Sequence, residues 1–334
     1  MKKIFAYARL LRIPGIGGLA IPPVIGAISV GVFDLYKLLL LFIIGALSAL
    51  FGFILNDYVD IDVDKKCADL KDKPLVSGEI SAKTTILICI FFVLISYLLI
   101  GILWYNQTID HYRFNALLSV FIAGVLGVIY NFYGKKFAGS DFLVALAMGF
   151  MFLFGALSVG QPNIITWIIF ILTFNNLLHM NAIEGGIKDS DHDHMMGVKN
   201  IALGSGVKVH GYNITIPHVF KLFSLSIRSF TAILLFLPFI YFGYDYFIWQ
   251  IIVLLLAIIG VYYLSIKLIT IKQFNRDKIR KYIAGQAFLR YSLVPIMLIS
   301  IIGFEKSIIL IFFPIIWYIV FAPLTREKML RPKM

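Results

Sequence analysis

The chain has 334 residues, of which 60% are hydrophobic and 14% charged, with a formal net charge of +12. Soluble domains run near 45–50% apolar and 25% charged, so this composition leaves too little polar surface to cover a water-soluble core. Soluble enzymes and secreted domains are excluded. In a membrane protein the +12 reads as loops facing an anionic leaflet, so no nucleic-acid partner is expected.

Apolar runs long enough to cross a bilayer fall at 14–33, 38–56, 84–104, 114–131, 141–159, 163–181, 219–242, 246–266, 284–303 and 306–323. The expected fold is an all-α polytopic bundle of nine or ten transmembrane helices around a central cavity, in one domain spanning 1–334. Only Phe304 and Glu305 separate the last two runs, which form either a hairpin of two spans or one span and a surface helix. Two connections are long and polar, at 57–83 and 184–217. With the N-terminus inside, Lys37, Arg113 and Lys306 lie outside and the other 27 of the 30 Lys and Arg lie inside. That bias places the N-terminus, both long loops and the C-terminal tail on the cytoplasmic face of a multi-pass cell-membrane protein. Cys67 and Cys89 have neither disulfide-framework nor metal-ligand spacing. Glycines at 45, 52, 124, 127, 149 and 155 fall within spans, where small residues let helices approach closely.

The acids are more informative than the bases. Asn56-Asp57-Tyr58-Val59-Asp60-Ile61-Asp62-Val63-Asp64 follows the second span. On a continuing helix Asp57, Asp60 and Asp64 share a face, with Asp62 to the side. Three carboxylates on one face repel, and a divalent cation removes the penalty; oxygen-rich clusters with a phosphate ligand suit Mg²⁺. A second group, Asp189-Ser190-Asp191-His192-Asp193-His194, follows the sixth span. Asp189 and Asp193 are one turn apart, so the two sets can converge on one diphosphate. Asn56, at the end of an apolar span, orients the adjacent carboxylate, contacts an acceptor or caps the helix. His192 and His194 are two residues apart and point to nearly opposite sides of a helix, a poor zinc pair. His179 reads as a packed residue or pocket wall rather than a base.

These residues resemble the UbiA superfamily of intramembrane prenyltransferases. Asn56-Asp57-x-x-Asp60-x-x-x-Asp64 is similar to its first aspartate-rich motif, and Lys73-Pro74-Leu75 with Ser77-Gly78 is similar to the segment that closes the loop before span three. Arg12 occupies the place of its N-terminal arginine. Tyr130 with Lys135 and Lys136 resembles its Tyr-x-x-x-x-Lys-Arg segment, and Asp189-x-x-x-Asp193 followed by Gly197-Val198-Lys199 resembles its second motif. The resemblance implies Mg²⁺ held by Asp57, Asp60, Asp64, Asp189 and Asp193, a prenyl diphosphate donor, and a hydrophobic acceptor that is aromatic or a lipid. It also implies that Arg12, Lys135, Lys136 and Lys199 meet the anionic substrate and that Tyr130 faces the developing allylic cation. The sequence departs from the family at Glu184-Gly185-Gly186, ahead of the second motif, and in its tenth apolar run. An ion-coupled transporter is the rival reading, set against coupling charges lying near the bilayer midplane in such carriers; a diverged non-catalytic member of the family is the other.

Overall fold

A computed structural model describes residues 2–65 and 70–325. Lys66, Cys67 and the tail cations Arg326, Lys328, Arg331 and Lys333 lie outside the described residues.

The first apolar run is a broken helix rather than the single span expected at 14–33. It comprises α1 (Lys2–Leu10), α2 (Ile13–Leu19) and α3 (Pro22–Ser29). Arg12, in the left-handed region at φ 45°, separates α1 from α2, and Pro22 and Pro23 open α3. Then come α4 (Leu35–Val59), the short α5 (Ile61–Asp64), α6 (Ala82–Leu103), α7 (His111–Tyr133), α8 (Asp141–Val159) and α9 (Ile164–Leu178). A π-helix over His179–Gly185 carries α9 into α10 (Gly186–Lys188), α11 (Ser190–Met195) and α12 (Ile201–Gly204). The second polar loop holds a small antiparallel hairpin, β1 (Lys208–His210) with β2 (Asn213–Thr215), in an otherwise helical chain. The chain continues through α13 (His218–Tyr241), α14 (Ile248–Ile269), α15 (Arg276–Met297), α16 (Ile299–Ile302) and α17 (Phe304–Thr325).

Short polar side chains start the helices by accepting from an otherwise orphaned amide: Asp34 from Lys37, Ser81 from Thr84, Asp110 from Arg113 and Asn275 from Lys278. Asn163 and Thr166 form a reciprocal capping box at α9.

Among the described residues, nine helical stretches are long and apolar enough to cross a membrane. Their outer faces carry apolar side chains at helical spacing, such as Leu87, Phe91, Leu94 and Leu98 on α6 and Ile252, Leu256, Ile259 and Tyr263 on α14. Stripes of that size face lipid. The protein is a multi-pass membrane protein. α15 matches the spans in length, with 22 residues, but its first turns are charged. It packs between α14 and α17 and starts at Arg276, not near 284 as the apolar run suggested. The last two runs are separate helices that pack on each other on either side of Gly303, φ 88°, and of the two only α17 is among the nine membrane-length apolar stretches.

α8 lies largely inside the bundle, with Phe152 and Phe154 fully buried. It crosses α3 at a contact only glycine permits: a Cβ on Gly155 would lie 1.9 Å from Pro23 O, and one on Gly26 would lie 2.1 Å from Phe152 O. Gly45 likewise meets Ala20 O, whereas Gly52, Gly124 and Gly127 face open space and have no such role.

Candidate active site

The helices enclose a cavity of about 1110 Å³, lined on one side by Asn56, Asp60 and Asp64 and on another by Asp189 and Asp193. Arg12, Tyr130 and Lys135 also line it, together with Lys73, Asp141 and Glu184.

The first acid cluster sits where α4 ends and α5 begins, so a nearly continuous helix keeps Asn56, Asp60 and Asp64 on the cavity side. Asp60 and Asp64 are buried, and each is held by a lysine: Lys135 Nζ lies 2.7 Å from Asp60 Oδ2, and Lys73 Nζ lies 2.7 Å from Asp64 Oδ2. Asp57 stands apart. It is absent from the cavity wall, and its Oδ1 takes Arg12 Nη2 at 2.7 Å and Lys73 Nζ at 3.0 Å. Asp62 is exposed and paired with Lys65.

The Lys73-Pro74-Leu75 and Ser77-Gly78 segment explains itself locally. The Ser77 amide donates to Lys73 O, Gly78 takes φ 77°, and Leu75 and Ile80 bury against α4. The turn so formed aims Lys73 at the acids. Burial opposes the charge on Lys73, yet Asp57 and Asp64 outweigh it and raise its pKa. Burial, with help from Asp60 and Asp57, holds Asp64 above the usual carboxylate range despite Lys73.

On the other side, Lys188 Nζ is 3.3 Å from Asp189 Oδ2, and Asn200 Nδ2 donates to Asp193 Oδ2 at 2.7 Å. Burial first, and then the charge of Asp189, push the Asp193 carboxyl up to about 7. Lys199 is exposed; its amide, not its ammonium, serves the site by donating to Lys135 O at 2.9 Å. Lys136 is also exposed, 4.7 Å above the Tyr133 ring. Neither lysine lines the cavity. His192 lines it beside Asp191, which Arg276 grips at 2.6 Å.

These residues fit Mg²⁺. Asp64 and Asp193, on opposite walls, both have carboxyls raised by burial even with Lys73 and Asn200 beside them, so a further cation between the walls would be favoured there. Among the described residues no three His, Cys, Asp or Glu form a tight metal cage. Mg²⁺ held through one or two carboxylates, waters and substrate phosphates needs no such cage.

The reading from sequence missed a second charged group. Glu184, on the π-helix, is 1% exposed and sits 2.6 Å from Arg290 Nη1, 3.1 Å from Arg228 Nη2 and 3.1 Å from His179 Nδ1. Ser224 meets His179 Nε2 at 3.0 Å, and Gln286 Oε1 accepts from Arg228 at 2.8 Å. His179 is thus a packed residue, as expected. Arg228 and Arg290, counted from sequence as loop cations, are buried within the bundle. Removing both leaves the loop bias intact. Their position within apolar runs was the available signal, because ionisable residues at membrane depth need partners.

A sequence profile of the UbiA prenyltransferase family matches residues 19–291. A 4-hydroxybenzoate octaprenyltransferase of Francisella tularensis subsp. mediasiatica is 32% identical over 162 residues, 48% of this chain and 54% of the relative. One from Polynucleobacter necessarius is 35% identical over 123 residues, covering 36% of this chain and 39% of the relative. The chain thus spans about half the length, or less, of these curated relatives. Among solved structures, a UbiA homolog from Archaeoglobus fulgidus bound to GPP and Mg²⁺ aligns with a TM-score of 0.61 at 20% identity, covering 89% of this chain and 99% of that one. The apo UbiA homolog from Aeropyrum pernix K1 gives 0.67 at 15% identity, covering 87% and 98%. A digeranylgeranylglyceryl phosphate synthase gives 0.64 at 21%, covering 91% and 100%. The structural likeness is one of fold, and the profile match over most of the sequence settles the family: the chain belongs to the UbiA prenyltransferases.

Proposed function

We propose that the protein transfers an isoprenyl group from a prenyl diphosphate to an aromatic or lipid acceptor and releases diphosphate. The observation that carries this reading is that two acid groups far apart in sequence line one cavity. Asp60 and Asp64 on one wall, with Asp189 and Asp193 on the other, would hold Mg²⁺. Bound there, Mg²⁺ supplies neutralisation of the diphosphate as it leaves.

The protein's own groups do the rest. Lys135 and Lys73 place ammoniums among the carboxylates, where they add charge-assisted contacts to diphosphate oxygens. The donor's C1–O bond breaks with its electron pair leaving on the diphosphate, and Tyr130 offers an aromatic face toward the allylic cation. The acceptor's nucleophile forms the new bond to C1 and gives up its proton. The isoprenoid tail has a place in a narrower cavity of about 100 Å³ that shares Gly18, Leu19, Met180, Tyr291 and Pro314 with the first and is lined by Ile25, Ile169, Leu177 and Val294.

The Lys/Arg bias supports a cytoplasmic opening for the site, with Lys37, Arg113 and Lys306 on the far face. A cysteine placed at Lys208 should label only from the cytoplasmic side and one at Asn106 only from outside; the reverse result overturns the orientation. For the chemistry, the purified chain should release diphosphate from an allylic prenyl diphosphate when an acceptor is supplied, and chelation of Mg²⁺ should stop it. No release from donors of any chain length with aromatic or lipid acceptors would sink the reading.

A further inference from the structure

The charged start of α15 lies outside every motif that the family resemblance supplied. Residues 276, 280, 284, 287 and 291 share one helical face, and all five, with Phe288, line the main cavity. The cavity face of α15 therefore runs from two guanidiniums, Arg276 and Arg280, past two small side chains, Ala284 and Ala287, to Phe288 and Tyr291.

Every other Lys or Arg on this wall is engaged by a carboxylate. Arg12 holds Asp57, Lys73 holds Asp57 and Asp64, Lys135 holds Asp60, Lys188 holds Asp189 and Arg276 holds Asp191. Arg280 forms no ion pair among the described residues, and its Nε is buried with no hydrogen-bond partner. A half-buried guanidinium that faces a cavity and has no protein acceptor can give its N–H groups to the oxygens of a ligand bound there. Headgroup anchoring does not explain it, because Arg280 faces inward while the adjacent Lys281 is exposed.

We propose that Arg280 is an oxyanion-binding residue that holds the anionic end of a substrate above the space left by Ala284 and Ala287. Its planar fork matches the paired oxygens of a carboxylate or a phosphate. Two substrates offer that chemistry: the donor through its diphosphate, and an acceptor that carries an acidic group. The assignment rests on the prenyl-transfer reading only for the identity of the substrate.

The test measures binding of two probes to the full chain in lipid nanodiscs: inorganic diphosphate with Mg²⁺, and benzoate as a simple aromatic carboxylate. Arg280→Gln should weaken one of them by about tenfold or more, the loss expected for a hydrogen-bonded charge. Arg280→Lys should recover part of the affinity, and Lys281→Gln should match the wild type. Weakened diphosphate binding assigns Arg280 to the donor, and weakened benzoate binding assigns it to the acceptor. Ala284→Asp, which sets a carboxylate one turn along to occupy the guanidinium, should reproduce the loss and serves if Arg280→Gln does not fold. Unchanged binding of both anions in the folded variants, or no binding of either by the wild type, overturns the proposal. Neither result depends on turnover: absence of diphosphate release by the wild type would count against prenyl transfer and leave the binding comparison standing.

Discussion

Arg12 Nη2 lies 2.7 Å from Asp57 Oδ1, an arginine partner that neither Asp60 nor Asp64 has among the described residues. Asp57 also takes Lys73, so two cations already satisfy it, and it ties the break between α1 and α2 to the end of α4. Of the acids in the two motifs, Asp60, Asp64, Asp189 and Asp193 line the cavity. Asp60→Asn should therefore lower Mg²⁺-dependent diphosphate release by about two to three powers of ten, the usual cost of one electrostatic contributor. Asp57→Asn should leave the Mg²⁺ requirement unchanged and act mainly on KM, by loosening Arg12 and Lys73. Asp62→Asn removes an exposed pair of small worth and should change nothing. A shifted Mg²⁺ requirement in D57N would return Asp57 to the metal ligands.

Glu184 is the only acid within reach of Arg228 and Arg290 among the described residues. Removing it strands two buried guanidiniums. Glu184→Gln should cost about 3–5 kcal/mol, the penalty for breaking a buried pair from one side. The effect should appear as a lower thermal midpoint and less folded protein in detergent. A triple variant with Glu184→Leu, Arg228→Leu and Arg290→Met, in which no charge is left unpaired, should recover most of that loss. If the triple variant is no better than E184Q, the network is not held by charge balance.

The contrast between these clusters shows what the residue pattern could and could not disclose. The span boundaries were legible because apolar runs and their caps are local: the span expected at 141–159 is α8, residue for residue. The break at Arg12 was not legible, because a left-handed residue beside an ion pair to Asp57 is a tertiary matter. Helical spacing grouped Asp57 with Asp60 and Asp64, and it is correct that all three lie near one face. Spacing cannot tell which of three neighbours a distant arginine will claim. α15 began too late in the sequence reading because hydropathy discounts the charged turns that line the cavity. Glu184 stood out only as a departure from a motif; its two arginine partners lie on α13 and α15, beyond any local window.

Lys135 and Lys136 are neighbours in sequence with different surroundings. Lys135 pairs with Asp60 at the cavity wall, while Lys136 lies over Tyr133 at the surface. Lys135→Ala should raise KM for the prenyl diphosphate by about tenfold or more, the loss of roughly 1.5–3 kcal/mol expected for a charged hydrogen bond. Lys136→Ala should stay within about twofold of wild type, since an exposed cation–π contact contributes only about 0.5–1 kcal/mol to the fold and nothing to the substrate. Steady-state kinetics with a single donor and acceptor would check both. Equal effects would mean that the two lysines act through general surface charge.

The crossing of α3 and α8 offers a test of the fold that does not depend on chemistry. At Gly155 an added Cβ would sit 1.9 Å from Pro23 O and 2.5 Å from the same residue's carbonyl carbon. Both are backbone atoms, so no side chain can swing aside, and relief requires the helices to separate. Gly155→Ala should therefore destabilise the protein despite the higher helix propensity of alanine. Overpacking typically costs about 1–3 kcal/mol, well above the roughly 1 kcal/mol that replacing a mid-helix glycine gains. Gly124→Ala supplies the opposite case, because nothing lies within 4 Å of its would-be Cβ. That variant should be neutral or slightly more stable. Thermal unfolding of both in the same detergent separates the two effects. The separation of helices should also reach the site, since α3 continues from α2, whose N-terminus carries Arg12. G155A should accordingly lose donor affinity along with stability, while G124A keeps both. Equal stability of the two variants would mean that α3 and α8 do not cross this closely in the membrane.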